Sequence, residues 1–229
     1  MTGAMQGTAR SKVSVARVLD AGLRLFSSQG FGATSMRQIA KESGHSVGNV
    51  YHHFSNKEEI FQRLIDQYWE KVLDPELPMM RIFARADFPE DLEEMAAAIE
   101  QAVDEFAPYI LLIYVDVIEF QGEHIRSFYD GMAGRFEAAY GERFRERRAA
   151  GDFGDVDPMV AVMVATRWFF YFYTVEKCFG APTHFGMEPH KAVEEFIRLL
   201  RYGLLPRSET NNISNHAGPI PGLAEEEES

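Results

Sequence analysis

Apolar residues recur at helical spacing near the start of the chain, and polar breaks separate the segments they form. The first such segment predicts a helix from about Lys12 to Gln29. Its predicted inward stripe consists of Val15, Val18, Leu19, Gly22, Leu25 and Phe26. The small and polar residues 1–9 before it predict a mobile arm, and the segment QGFGATS ends the helix.

Two short helical segments follow. Ser35 stands three residues before Gln38, which is the pattern of a capping box, and Met36, Ile39 and Ala40 then follow at helical spacing. Gly44 predicts the end of this helix, and Ser46 can cap a second one that turns Val47, Val50 and Phe54 inward. Two short helices joined by a glycine turn predict a helix-turn-helix, whose second helix reads DNA.

The rest of the chain predicts helices between prolines. A long helix begins at Lys57, after a cap at Ser55 or Asn56. Pro89, Pro108, Pro158 and Pro189 lie where a helix can start, since its first residues need no N–H donor. The predicted helical stretches are Asp91–Phe106, a stretch from Tyr109 that breaks near Gly122, Met159–Phe179 and His190–Leu204. The apolar run ILLIYV, residues 110–115, favours helix over strand, and the sequence has no turn dipeptide between alternating strands that would predict a β-hairpin. The predicted fold class is therefore all-α.

Charge is distributed unevenly along the chain. The net charge is −12, but residues 10–57 hold seven basic and two acidic residues, which leaves +5 there and −17 elsewhere. A basic N-terminal module on an acidic body is typical of a protein that binds nucleic acid at one end. The single cysteine, Cys178, fits a reducing cytoplasm. The apolar run Met159–Val175 contains Arg167 and is shorter than the ~20 residues of a membrane span, so we expect no membrane.

The pentapeptide GHSVG, residues 44–48, matches the nucleophile elbow of serine hydrolases around Ser46. That elbow needs a buried strand before the serine, whereas a helix is predicted there, so a hydrolase is a remote alternative. The nearby histidines His45, His52 and His53 have no spacing that converges on a metal ion. We therefore predict no enzyme, no cofactor and no metal site.

The segment from Val18 to Ile65 resembles the N-terminal domain of the TetR family of transcriptional repressors. Three features carry the resemblance. Gly30 is followed by the aromatic Phe31 and, three residues later, by the pair Thr34–Ser35; the pair IA stands shortly before Gly44; and the pattern Y-x-x-F-x-x-K-E begins at Tyr51. His45 departs from it, because the family usually has a small apolar residue there, and this imidazole needs a polar partner or a path to solvent. The resemblance implies a homodimer in which each subunit has a helix-turn-helix DNA-binding domain, at residues 10–56, and a helical ligand-binding and dimerisation domain, at 57–206. Residues 207–229 are polar, acidic and contain proline and glycine, which predicts a disordered tail.

The resemblance also implies which residues contact a double-stranded DNA operator. Ser35 and Lys57 are expected on phosphates, and Tyr51 and His52 at the backbone or the groove edge. Val47, Gly48 and Asn49 are expected to face the groove beside Ser46, with Gly48 permitting close approach and Asn49 able to pair with adenine. His53 is expected to pack behind the reading helix.

The second half of the chain is rich in aromatic residues, which line many small-molecule sites but more often form ordinary core. The residues expected to line an effector pocket are Tyr114, Phe120, Phe128, Trp168 and Phe172. Asp116 and Glu119 share a helix face and either attract a cation, act as an acid–base pair or are simply solvated. Dimerisation is expected through the last two helices, with Ala161, Ala165, Phe169, Val193, Phe196 and Leu200 in the interface. The predicted function is a cytoplasmic, dimeric repressor released from its operator by a small molecule; the alternative is control by a protein partner without a ligand.

Overall fold

The computed structural model describes residues 2–153 and 155–203, with side chains from Ser14 onward. These residues contain helices and no strand, which confirms the all-α fold class. The helices are α1 (Thr2–Gln29), α2 (Met36–Ser43), α3 (Val47–His53), α4 (Lys57–Val72), α5 (Pro78–Arg85), α6 (Leu92–Phe120), α7 (Arg126–Asp130), α8 (Met132–Ala149), α9 (Pro158–Tyr173) and α10 (Pro189–Tyr202). The predicted tail at 207–229 lies outside the described residues.

The helix α1 is longer than the sequence predicted. It begins at Thr2 rather than near Lys12, so helix replaces the predicted arm over residues 2–9. The physical reason is that no proline interrupts this stretch, and a helix that is already nucleated extends at little cost per residue.

The local signals around the helix-turn-helix are confirmed. Ser35 and Gln38 form a reciprocal capping box at the start of α2, and Gly44 ends that helix in the left-handed region at φ 71°. Ser46 caps α3, and Asn56 caps α4, through side-chain oxygens that accept backbone N–H groups. At the start of all three helices, side chains thus accept hydrogen bonds from backbone N–H groups that have no partner within the helix.

The head, which we define as α1–α3 with the first turns of α4, has its own apolar core. Val18, Ile39, Val50 and Phe54 are buried in it. Gly22 lets α1 approach α4 closely, since a Cβ there would lie 2.8 Å from Ile60 Cγ2. Val47, which was expected to face inward, is instead 37% exposed because it begins α3 on the side away from α1 and α4.

The remaining helices form the body, and α6 is its central element. The sequence predicted a helix start at Pro108, but α6 runs through this proline without a break for 29 residues. An interior proline costs a helix about 3 kcal/mol, yet Phe106, two residues before it, and Tyr109, directly after it, are buried. Packing on both sides of Pro108 therefore keeps α6 continuous.

The apolar helix α9 continues into a π-helical turn at Thr174–Cys178. Together, Pro158–Cys178 span 21 residues, which is long and apolar enough to cross a membrane by length and composition alone, and 44% of its apolar 18-residue window is buried inside the protein. Two of the residues expected in a dimer interface, Ala165 and Phe169, are fully buried within the protomer itself. Phe196 also packs internally, with its ring 3.8 Å from that of Trp168.

Candidate nucleic-acid interface and ligand cavity

One face of α3 is open to solvent. Tyr51 is 53% exposed, His52 and Val47 are also exposed, and a Cβ on Gly48 would meet no atom within 4 Å. These four residues lie within about one and a half turns of the same short helix, so they form a single surface. This surface, together with the exposed Ser35 at the start of α2, is where the sequence predicted DNA contacts.

Asn49 differs from its neighbours because its side chain is already engaged within the protein. Its Oδ1 accepts a hydrogen bond of 2.9 Å from Ser14 Oγ on α1. The same hydroxyl lies 3.4 Å from His45 Nε2, which supplies the polar partner that this histidine was expected to need. This bond fixes the Asn49 side chain toward α1 and uses one of the two lone pairs of its Oδ1, so one acceptor position and the Nδ2 donor remain for a base.

Ser46 lies in the turn between two helices, and its hydroxyl caps α3 through Asn49 N at 3.2 Å. The strand that a nucleophile elbow requires is absent, because helix α2 precedes this turn. Across the described residues, no group of three His, Cys, Asp or Glu side chains is placed to hold a metal ion.

Two of the basic residues of the head are engaged within the protein. Arg24 forms salt bridges with Asp20 and Glu42. Lys57 was expected to contact a phosphate, but its Nζ donates to the carbonyl oxygens of Phe31 at 2.7 Å and Thr34 at 2.9 Å. The ammonium also lies 4.1 Å above the centroid of the Phe31 ring. Lys57 therefore holds the turn before α2, while Arg17, Arg37 and Lys41 remain exposed.

Glu119, near the end of α6, holds the same turn from the other side. Its two carboxylate oxygens accept backbone N–H groups from Phe31 at 2.8 Å and from Gly32 at 2.7 Å. A Cβ on Gly32 would lie 3.1 Å from Glu119 Oε2, so glycine allows this close approach. We call the turn at residues 30–34, with Lys57, Glu119 and Phe120, the junction between head and body.

Phe120 belongs to the junction rather than to a pocket. Its ring lies 4.6 Å from that of Phe31 and 5.1 Å from that of Phe61 on α4. Behind it, the buried Asp116 accepts hydrogen bonds from His124 Nδ1 at 2.5 Å and from Ile125 N at 3.3 Å. Asp116 thereby fixes the loop after α6, while Glu119 reaches the head, so these two carboxylates do not act as a pair.

The body contains an apolar cavity of about 300 Å³ between α4, α5, α6, α7, α8 and α9. Tyr114 and Phe128 line it, as the sequence predicted. Trp168 and Phe172 lie outside it, because they stack on each other and pack against α10 and the loop before it. Of the five residues expected in a pocket, two therefore line this cavity and three lie elsewhere.

Several lining residues were not predicted. Met79, Met80 and Phe83 come from α5, whose start at Pro78 followed by apolar residues at helical spacing was the available signal. Trp69 on α4 also lines the cavity, and its ring stacks on Phe128 with centroids 3.7 Å apart. The sequence holds no comparable signal for Trp69, since its position depends on how α4 meets α7.

The cavity holds a few polar groups in its largely apolar wall. Trp69 Nε1 and Tyr140 Oη are buried and have no hydrogen-bond partner. Burial raises the pKa of the Tyr140 phenol, so this hydroxyl stays neutral and can donate. Arg135 and Arg167 complete the wall; Arg167 is exposed beside Tyr171 at the mouth.

Known proteins are similar to this chain in the sequence of the head and in the overall fold. Residues 18–64 match the family model described as bacterial regulatory proteins, tetR family. The regulator AcrR of Shigella flexneri is 33% identical over 112 residues, which span 46% of this chain and 50% of AcrR. The chain thus covers about half the length of this relative.

Solved structures with the same fold include PfmR of Thermus thermophilus, with 22% identity, a TM-score of 0.61 and coverage of 83% of this chain and 100% of PfmR. AibR, solved in complex with isovaleryl coenzyme A and operator DNA, has 18% identity, a TM-score of 0.57 and coverage of 81% and 97%. The head therefore matches the DNA-binding domain of the TetR family, the solved structures share the fold, and together these findings support a TetR family transcriptional regulator.

Proposed function

We propose that this chain is a homodimeric, cytoplasmic repressor that leaves a palindromic operator when a small molecule fills the cavity. Residues 10–56 bind DNA in this proposal, and residues 57–206 bind the ligand and the second subunit. The single observation that carries the proposal is that α4 and α6 both line the cavity and both contact the turn before α2.

The open face of α3 supports the DNA-binding part of the proposal. Val47 offers an apolar contact for a thymine methyl group, and Gly48 admits the groove edge close to the backbone. Arg37 and Ser35 at the exposed start of α2 suit phosphate contacts, because the free N–H groups of a helix N-terminus attract anions.

The path from cavity to head supports the release part of the proposal. Ile113 and Tyr114 line the cavity, and Glu119 stands between one and two turns further along α6. A ligand that shifts α6 or α4 therefore moves the turn at residues 30–34 through Glu119 and Lys57. Two reading helices need to lie about 34–36 Å apart to enter successive major grooves, so a small tilt is enough to weaken binding.

Exposed apolar residues on the last two helices support a dimer. Val160 and Val164 on α9 are 59% and 49% exposed, and Leu199 on α10 is 38% exposed. Val160 and Val164 stand one turn apart on one face, which is the arrangement that a helix-packing interface uses. These residues replace Ala165 and Phe169 as the expected contacts.

The test is to enrich genomic DNA fragments on the purified protein and to measure affinity for the site they share. We expect a palindrome, bound by a dimer. Val164→Asp should give monomers and weaken operator binding at least about 100-fold, because each head then binds alone. Val117→Asp, at an equally exposed valine on α6, is the matched control and should remain dimeric.

Two results would contradict the proposal. Equal affinity for the enriched site and for random DNA would show that the protein has no specific operator. A dimeric Val164→Asp variant on light scattering would place the interface elsewhere.

A further inference from the structure

The charges around the cavity point to the class of molecule that it holds. Arg135 and Arg167 are the charged residues among the described residues of its wall, and no carboxylate lines it there. Neither arginine forms a salt bridge within the described part of the chain, whereas Arg85, Arg143 and Arg147 nearby are each paired with acids. In a protein with 35 acidic and 23 basic residues, two such cations at one apolar cavity favour an anionic occupant.

An unpartnered polar atom in the wall supports the same conclusion. Trp69 Nε1 can only donate a hydrogen bond, and burial without an acceptor is unfavourable. A ligand oxygen gives this N–H an acceptor, whereas an ammonium group offers it only a further donor.

Arg135 is held in a fixed position in the cavity wall, where it can bind an anionic group of a ligand. Its guanidinium lies 4.2 Å from the centroid of the Phe128 ring, and one N–H donates to the Phe128 carbonyl. Phe128 in turn stacks on Trp69. Arg135 is therefore held in place by Phe128 while further N–H donors remain for a ligand, since a guanidinium carries five.

We propose that the effector is an amphiphilic organic anion, with a carboxylate or similar acidic group at Arg135 and Arg167 and an apolar body of about ten non-hydrogen atoms. The size follows from a cavity of about 300 Å³ and roughly 30 Å³ for each water-sized group. The apolar body lies against Met79, Phe83 and Ile110. The inference rests on the proposed function, because it assigns the ligand of the same cavity.

The experiment compares three probes of equal chain length, namely decanoate, decanamide and decylamine. The two tryptophans of the chain separate binding in the cavity from binding elsewhere, since Trp69 lines it and Trp168 does not. Binding in the cavity should change the fluorescence of Trp168→Phe, which retains Trp69, and leave that of Trp69→Phe nearly unchanged. Decanoate should bind at least tenfold more tightly than decylamine.

Arginine variants test the source of that preference. Arg135→Met and Arg167→Met should each weaken decanoate binding about tenfold or more, as expected for loss of a charge-assisted hydrogen bond, and change decanamide binding less than threefold. Arg126→Met, at an exposed arginine outside the cavity wall, is the matched control and should bind decanoate like the unmodified protein.

The outcomes separate this inference from the proposed function. If decylamine binds as tightly as decanoate, or if both arginine variants bind decanoate normally, the anionic class is wrong and a ligand-responsive repressor is still supported. If decanoate binds as expected but leaves operator affinity unchanged, the ligand class is upheld and release by the ligand is wrong. If no probe changes Trp69 fluorescence, the proposed ligand class is wrong, and the test of the repressor by operator enrichment is unaffected.

Discussion

The head and the body satisfy their buried polar groups differently. In the head, side-chain oxygens of Ser35, Ser46 and Asn56 cap three helices, and Ser14 bonds to Asn49. In the body, the buried side-chain atoms without a hydrogen-bond partner are Trp69 Nε1, both carboxylate oxygens of Asp91 and Tyr140 Oη; the described part of the head has none.

This difference shows which part of the molecule satisfies its buried polar side-chain atoms without an outside partner. A buried donor or acceptor without a partner costs about 1–3 kcal/mol, so each one indicates a strain that the fold tolerates or a partner that arrives later. The described part of the head therefore needs no outside partner for its buried side-chain polar atoms. In the proposed function, a ligand in the cavity supplies the partner that Trp69 Nε1 lacks among the described residues, and the junction links the cavity to the head.

The largest expected effect comes from separating the two regions at the junction. Glu119→Ala removes two charge-assisted hydrogen bonds between α6 and the turn before α2. We expect decanoate to lower the operator affinity of the unmodified protein about 5- to 150-fold, the usual range of coupling between sites, and that of the variant less than threefold. Titrations of labelled operator with and without decanoate measure both ratios.

Glu123→Ala, at an exposed glutamate just beyond α6, is the control and should respond like the unmodified protein. Trp69 fluorescence should show the same decanoate affinity in the Glu119 variant, because the cavity is unaltered. An undiminished response in Glu119→Ala would mean that the ring contacts of Phe120 or the helix α4 carry the coupling.

An intermediate effect, on the free energy of unfolding, is expected from Asp91, a buried acid of the body whose carboxylate oxygens have no hydrogen-bond partner among the described residues. Burial raises the pKa of Asp91 to about 6, above the usual value near 3.9. Between about pH 4 and pH 6, the folded protein keeps a proton that the unfolded chain releases, so the free energy of unfolding falls as pH rises through this window. Asp91→Asn should therefore stabilise the protein by roughly 1–3 kcal/mol at pH 8, and the gain should vanish near pH 4.

Urea unfolding at pH 4, 6 and 8 measures this gain. Asp130→Asn, at an exposed aspartate of the body, should change the free energy of unfolding little at any of these pH values. A loss of stability in Asp91→Asn at pH 8 would show that the carboxylate has a partner that stabilises its charged form.

The smallest effect concerns two cations of the head. Arg37 is exposed, whereas Lys57 Nζ is bonded to Phe31 and Thr34. Arg37→Met should reduce the slope of log affinity against log salt by about 0.9 for each subunit, since one phosphate contact is lost. Lys57→Met should leave this slope unchanged and lower the midpoint of thermal unfolding. An equal loss of slope in the two variants would restore Lys57 as a phosphate contact.

The sequence alone determined the helix-turn-helix. Each helix cap, at Ser35 or Ser46, and the left-handed turn at Gly44 involve only atoms within about four residues of each other. Such short-range interactions can be recognised from the order of residues alone. The all-α class followed for a similar reason, because helical periodicity is a local property.

Only the tertiary structure decided the partners of Lys57 and Glu119, the continuity of α6 through Pro108 and the choice of aromatic residues at the cavity. Glu119 meets Phe31 across 88 residues of chain, and a helix pattern shows which face is apolar without showing what that face meets. Phe120 and Trp168 have the same local character as Phe128, yet Phe128 lines the cavity while the other two pack at the junction and against α10. The packing of distant helices decides between these places, and that packing depends on the whole fold.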